Sequence, residues 1–243
     1  MKILVKFFMM TAACFITAKC FSQLNYSDSI LYRASLNNAM DVYHQKMAPE
    51  RFLYDGMQYV NYDYQITEGS PYFQAAQMSS GSVFYNDILF ANVPMLYDVV
   101  SDKLIINSPS KAFFIQLNNE RIAYFKLLDH QFIRLVRDSL NDISTGFYDL
   151  LYDGKSRVLK KQIKTIQERI TTKFEKYIQE VNKHYIKKGE RYFSVSTKKN
   201  VLDLFSDKKK ELKQYIRKNK LNIRKDKDNA LIKIMAYYDE ITK

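Results

Sequence analysis

The tetrapeptide Leu-Tyr-Asp-Gly occurs twice, at 53–56 and at 151–154. Each copy sets a carboxylate, Asp55 or Asp153, beside a tyrosine. Two carboxylates flanked by aromatic rings are what a glycoside hydrolase needs. Asp-Gly is also a preferred pair for a two-residue hairpin turn, because both residues accept positive φ. A catalytic acid requires a desolvated pocket, whereas the tip of a turn is wet. The turn reading is therefore the stronger one. It makes both copies hairpin tips with the tyrosine packed inward.

Other chemistry is sparse. The three histidines, His44, His130 and His184, are scattered, and no local spacing joins them into a metal site or a triad. There is no GxSxG elbow, HExxH pair, glycine-rich phosphate loop or EF-hand loop. No catalytic residue, metal ligand or cofactor is assigned. The remaining candidates are cations. The stretches "DKKKELKQYIRKNK" and "IRKDKDNALIK" offer Lys208, Lys209, Lys210, Lys213, Arg217, Lys218, Arg224 and Lys225 as contacts for an anionic surface. Asp207, Glu211, Asp226 and Asp228 are interspersed among them, so an ordinary salt-bridged helix surface is the competing reading.

Charge is strongly polarised along the chain. Residues 23–154 hold 9 Lys and Arg against 15 Asp and Glu, a net of −6, while 155–243 hold 26 against 11, a net of +15. The second LYDG sits at the switch. Such asymmetry points to an acidic partner or a membrane surface for the basic half.

The N-terminus narrows the choice of partner. Lys2 and Lys6 precede an apolar run from Phe7 to Ala18, and Cys20 and Ser22 stand at the −3 and −1 positions before Gln23. This is the pattern of a secretory signal peptide over residues 1–22, and its apolar run is too short to span a bilayer. Removing 22 of the 243 residues would leave 221 and take away both cysteines, Cys14 and Cys20. A chain so processed has no disulfide, no thiolate metal site and no cysteine nucleophile. No later apolar run reaches membrane-spanning length. Export argues against nucleic acid as the partner of the basic half; anionic lipid or saccharide headgroups fit better.

Three kinds of element must position these residues. Ser27 caps an amphipathic helix over 28–47, which Pro49 ends. From Arg51 the pattern changes to short β-branched and aromatic runs. They are separated by turn dipeptides at Asp55-Gly56, Asn86-Asp87, Ser101-Asp102, Asn118-Asn119, Asp129-His130, Asp153-Gly154 and Lys188-Gly189. This predicts an antiparallel meander of about eight strands before residue 160. Residues 157–186 fit either one helical stripe or long strands; the turn at Lys188-Gly189 favours strands. After Val195 the helical period returns in three short basic helices, which must pack on the sheet to be stable.

The series "LYDGMQYVNYD", "GSVFYNDILFANVPMLYDVVSDKLII", "YFKLLDHQFIRL", "GFYDLLYDGKSRVL" and "YIKKGERYFSV" is similar to an uncharacterised family of secreted Bacteroidota proteins. That resemblance carries no activity and no catalytic residues. The expected fold is α+β: an antiparallel meander sheet, curled or barrel-like, with an N-terminal helix and a C-terminal helical extension. Its expected layout is a signal peptide at 1–22, helix and meander over 23–195, and basic helices over 196–243. The expected role is that of an exported, non-enzymatic binding or structural protein of the cell envelope, periplasmic or secreted. Its partner would be an envelope protein or an anionic envelope component. A carrier of a hydrophobic ligand in a half-barrel groove is the alternative, with a glycan-directed hydrolase behind it.

Overall fold

A computed structural model describes residues 50–74, 76–138, 143–170 and 172–242. The expected signal peptide, the helix over 28–47 and His44 lie outside the described residues. The core of the fold is a sheet of 11 strands, with every pair of neighbouring strands antiparallel. A helical turn α1 (Glu50–Leu53) leads into β1 (Met57–Tyr59). Then come β2 (Ser79–Tyr85), β3 (Ile88–Asp98), β4 (Lys103–Asn107), β5 (Phe114–Gln116), β6 (Ile122–Leu127), β7 (His130–Leu135) and β8 (Gly146–Tyr152). The strands β9 (Val158–Ile170), β10 (Phe174–Lys188) and β11 (Arg191–Ser194) complete the sheet. Three helices follow: α2 (Lys198–Leu204), α3 (Lys209–Lys218) and α4 (Lys227–Ile241).

The spatial order β1-β5-β4-β3-β2-β6-β7-β8-β9-β10-β11 is two meanders running in opposite directions from the β2–β6 pair. The hairpin signals account for most of it. Asn86 and Asp87, at φ 50 and 63, form the two-residue turn expected between β2 and β3. Two turns are displaced by one residue from expectation. Leu127 pairs with His130, so Leu128-Asp129 is the turn; Lys188 pairs with Arg191, so Gly189-Glu190 is the turn. The strand reading of 157–186 holds for Val158–Ile170 and Phe174–Lys188, as β9 and β10 pair from Val158↔Ile186 to Ile170↔Phe174. Asn118-Asn119 is not a hairpin, because β5 pairs with β1 and β4 while β6 pairs with β2 and β7.

Both LYDG copies depart from the expected turn. Neither Gly56 nor Gly154 has positive φ, and only the second copy joins paired strands. Each glycine is required for close approach. A Cβ at Gly56 would overlap the Gln116 carbonyl oxygen on β5, and one at Gly154 would overlap the Asp239 carboxylate and the Tyr152 hydroxyl. Asp55 accepts a 2.6 Å hydrogen bond from the Tyr85 hydroxyl and pairs with Arg121. Asp153 pairs with Arg157, and its side chain is 55% exposed. The two carboxylates serve different local structures.

The sheet curls round its main apolar face. Three strands lie between β3 and β8, a separation of about 19 Å in a flat sheet at ~4.8 Å per strand. Yet the rings of Tyr97 on β3 and Phe147 on β8 are 6.0 Å apart. Phe125 and Phe132 stack at 4.7 Å, and Phe73 meets Phe132 edge-on at 4.9 Å. Val83, Tyr85, Met95, Leu104 and Phe125 are wholly buried there. The concave space between β3 and β8 is therefore occupied by the protein's own side chains, the space a hydrophobic cargo would need. A second apolar cluster joins Val158 and Ile186 to Leu212, Ile216, Leu231, Ile234 and Met235, seating α2–α4 on the β8–β10 end of the sheet.

Gly154→Ala should lower stability by about 1–3 kcal/mol through overpacking, whereas Asp153→Asn should stay within about 0.5 kcal/mol. Urea midpoints of the two variants test this. Equal losses would reject the close-approach role of the glycine.

Candidate functional site

Strand alternation places a charged rung on the inner face of the sheet. Phe132↔Asp149, Asp149↔Lys160 and Lys160↔His184 are successive register partners across β7, β8, β9 and β10. One rung thus presents Phe132, Asp149, Lys160 and His184 side by side. His130, two residues before Phe132 on β7, reaches Asp149 with Nδ1 at 2.7 Å. From above, Asp228 in the first turn of α4 meets His184 Nε2 at 2.6 Å and Lys160 Nζ at 2.8 Å. The resulting line alternates imidazole and ammonium groups with carboxylates, between the aromatic cluster and the helical one.

The protonation pattern follows from the partners. A carboxylate can only accept, so His184 Nε2 carries a hydrogen, and His130 Nδ1 likewise donates to Asp149. That leaves His130 Nε2 to accept from the Gln74 side-chain amide at 3.0 Å. His184 Nδ1 is buried without a hydrogen-bond partner. The hydrogen bond from His184, then those from Lys160, hold the Asp228 carboxyl below the usual carboxylate range. Burial pushes Asp149 the other way, upward, against the pull of His130.

A histidine oriented by a buried aspartate resembles two members of a catalytic triad. Here the outward nitrogen is already taken by Gln74, and among the described residues His130 makes no hydrogen bond to a serine, threonine or tyrosine hydroxyl. The rung's evident task is to fasten α4 to the sheet. Among the described residues, no group of three or more His, Asp or Glu side chains is arranged to hold a metal ion.

The eight cations singled out from sequence form the outer side of the same helical layer. Lys208 ends a 3-10 turn and is half-buried; the other seven are exposed, on α3 or in the α3–α4 loop. Leu212 and Ile216 bury one side of α3, and Tyr215 stacks on Tyr237 at 4.1 Å. Lys210, Lys213 and Arg217 follow one another at spacings of three and four and line the outward side. Lys209 pairs with Asp203 at 2.7 Å. Among the described residues, the other seven cations make no ion pair.

Three of the four interspersed acids are engaged elsewhere, whereas Glu211 stays in the first turn of α3, half-buried and without an ion pair among the described residues. Asp207 accepts from Tyr238 and pairs with Lys188, Asp226 caps α4, and Asp228 belongs to the rung. Asp239, further along α4, accepts from the Tyr152 hydroxyl and the Ser156 amide. The salt-bridged surface expected as the competing reading is therefore formed only in part, by Lys188–Asp207 and Lys209–Asp203. Lys198, Lys199 and Arg224 also flank a shallow groove of about 570 Å³ between α2 and the α3–α4 loop.

No family model, no curated protein and no solved structure matches this chain. The functional reading rests on the sequence and the geometry.

Sequence reasoning found the cations but missed the rung. Its members lie on four strands and a helix, and only the pairing register brings them together. The alternation in "NKHYIKK" marks His184 and Ile186 as sharing a face, which was the one local signal.

Asp228 has a depressed folded-state pKa, so its stabilising contribution is present above the usual carboxylate pKa of about 4 and is lost as pH falls further. Asp228→Asn should therefore cost about 1–3 kcal/mol at pH 7, less than a fully buried pair because its side chain is 37% exposed. The gap between variant and native urea midpoints should narrow from pH 7 to pH 3. A gap independent of pH would show that the Asp228 charge is not what fastens α4.

Proposed function

We propose that this protein is an exported binding protein of the bacterial envelope, and that the outer face of α3 and the α3–α4 loop docks on an anionic envelope component. The observation that carries this reading is the separation of charge within the helical layer. Asp228 and Asp239 of α4 are turned inward and Asp226 is used as its cap, leaving Glu240 as the exposed carboxylate of α4, while Lys210, Lys213, Arg217, Lys218, Arg224 and Lys225 stand exposed without ion-pair partners among the described residues. An unbalanced cationic face raises the local concentration of anions and steers them to the surface. The secretory pattern of residues 1–22 supports an envelope rather than a nucleic-acid partner, and a location in the periplasm, at the outer membrane or outside the cell is proposed from it. Within the described residues no helix is long and apolar enough to cross a membrane, consistent with a docking face of exposed charge rather than an inserted segment.

The glycan-hydrolase reading loses its premise, because Asp55 and Asp153 occupy unrelated sites, one tied to Tyr85 and Arg121 and the other to Arg157. The carrier reading is weakened by the rings that fill the concave face between β3 and β8.

The test is sedimentation of the purified protein with vesicles containing anionic phospholipid or with envelope fractions. Binding should fall steeply between 50 and 300 mM salt, because the screening length of exposed charges shrinks from about 14 Å to about 6 Å over this range. The triple variant K210E/K213E/R217E should lose ~10-fold or more in affinity while keeping its thermal midpoint. Salt-insensitive binding, or full binding by the triple variant, would reject the docking face.

A further inference from the structure

We propose that the groove between α2 and the α3–α4 loop is a binding site for the glycerophosphate headgroup of an anionic lipid. The proposal rests on the docking reading above and names the component that is docked on. The groove encloses about 570 Å³, in the range of roughly 300–1,000 Å³ found for small-ligand sites. Ser196, Lys198, Lys199, Asn222 and Arg224 line it and are all exposed, with Leu221 half-buried among them. A headgroup can therefore enter from solvent.

Both walls are held in place before any ligand arrives. Ile223 is 5% exposed and anchors the α3–α4 loop in the helical core. Asn222 Oδ1 accepts from the Arg224 and Lys225 amides at 3.0 and 3.2 Å, which fixes the turn that carries Arg224. On the other wall, Thr197 and Asn200 form a reciprocal capping box at the start of α2. Val201 and Leu202 bury the helix just behind it. The box closes the helix end with its own side chains, so the groove meets a ligand through side chains and not through helix amides.

The lining sorts into donors and acceptors. The side chains of Lys198, Lys199 and Arg224 make no hydrogen bond or ion pair among the described residues. Asp203 is held below the usual carboxylate range first by its hydrogen bond from Lys209 and only last by the charge of Lys199. It is the partner of Lys209. With its oxygen committed to the loop amides, Asn222 keeps its Nδ2 hydrogens to donate. Ser196 is the reverse case: its hydroxyl donates to Asn200 Oδ1 at 3.0 Å, which leaves its oxygen to accept.

The ligand class follows from that sorting. Two ammonium groups, a guanidinium and an amide N–H donate without accepting, which suits phosphate oxygens. The Ser196 oxygen suits a ligand hydroxyl, and Leu221 gives apolar contact to a short carbon chain. A glycerol esterified to phosphate carries all three features. A serine headgroup of the same net charge fits less well, because its ammonium group would join three cations already at the groove. Arg224 belongs both to the groove and to the docking face, so a lipid seated here sets α3 over neighbouring headgroups.

Sedimentation with phosphatidylcholine vesicles carrying equal mole fractions of either phosphatidylglycerol or phosphatidylserine, at one low salt concentration, tests the proposal. The phosphatidylglycerol vesicles should bind ~10-fold more tightly, the worth of about one charge-assisted hydrogen bond. K199M/R224M should abolish that ratio at an unchanged thermal midpoint, since both side chains are exposed. K210E/K213E/R217E should weaken binding to both vesicles and keep the ratio. The absolute affinity thus reports on the α3 docking face and the ratio on the groove, so either can fail alone. Calorimetry with soluble sn-glycerol 3-phosphate reads the groove without a membrane and without a variant; it should bind ~10-fold more tightly than inorganic phosphate. Equal binding to the two vesicles, a ratio that survives in K199M/R224M, or equal affinity for glycerol 3-phosphate and phosphate would each overturn the proposal. Binding of glycerol 3-phosphate with no vesicle preference would make the free ester the ligand and overturn the lipid assignment.

Discussion

The register of β8, β9 and β10 is the constraint on which the rest depends. Asp149↔Lys160 and Lys160↔His184 put the charges on the inner face, and Lys161↔Lys183 puts two lysines on the other. A slip of one residue would exchange the two faces. Val158 and Ile186 would leave the helical core, and Lys161 would enter it. Asp228 would then find neither His184 nor Lys160 beneath it. The apolar pattern and the ion pairs of α4 select the same register, so the long hairpin is specified twice. Breaking one member of such a network costs more than the network contributes over an apolar equivalent, which is how buried charges give uniqueness at modest gain in stability.

Away from the rung, the described residues contain no cysteine, and distant segments are joined by tyrosine hydroxyls donating to aspartates. Tyr59 and Tyr62 both donate to Asp98, which is wholly buried and also accepts from the Ser101 hydroxyl and the Val100 amide. Tyr97 donates to Asp102, Tyr85 to Asp55, Tyr152 to Asp239 and Tyr238 to Asp207. Desolvation first, and the neighbouring carboxylate next, push the Tyr85 and Tyr238 hydroxyls up to about 12, so the proton stays on the tyrosine. Hydrogen bonds to an ionised acceptor contribute roughly 1.5–3 kcal/mol each. The 19 tyrosines of the chain are thus more than sheet packing. Each of these rings fills apolar space while its tip ties down a loop or a helix.

What was legible in the sequence was local. Asn86-Asp87 announced its turn because both residues accept positive φ, and the C-terminal helices announced themselves by their apolar stripes. The all-antiparallel sheet followed from short connections between β-forming runs. The LYDG copies misled because glycine has two uses, and the sequence does not distinguish positive φ from a missing Cβ pressed against Gln116 or Asp239. Asn118-Asn119 misled because a turn dipeptide does not say which strands it joins. The rung and the Lys161–Lys183 pair were invisible for the same reason. They are properties of pairing between segments up to 68 residues apart in the chain, as in the Lys160–Asp228 pair.

Composition alone also misstates the helical layer. Acids interspersed with lysines suggest a neutralised surface, yet neutralisation depends on where the acids point. Asp228 is drawn inward by His184 and Lys160, Asp239 by Tyr152 and Ser156, and Asp226 is spent on the first amides of α4. These same contacts seat the helices on the sheet. The contacts that stabilise α4 therefore strip counter-charge from the outer face of α3 and the loop after it. Folding and surface potential are coupled here. A substitution that freed Asp228 or Asp239 from its inner partners would weaken the fold and shrink the cationic face together, which makes the exposed charge a consequence of how the layer is held rather than an independent decoration.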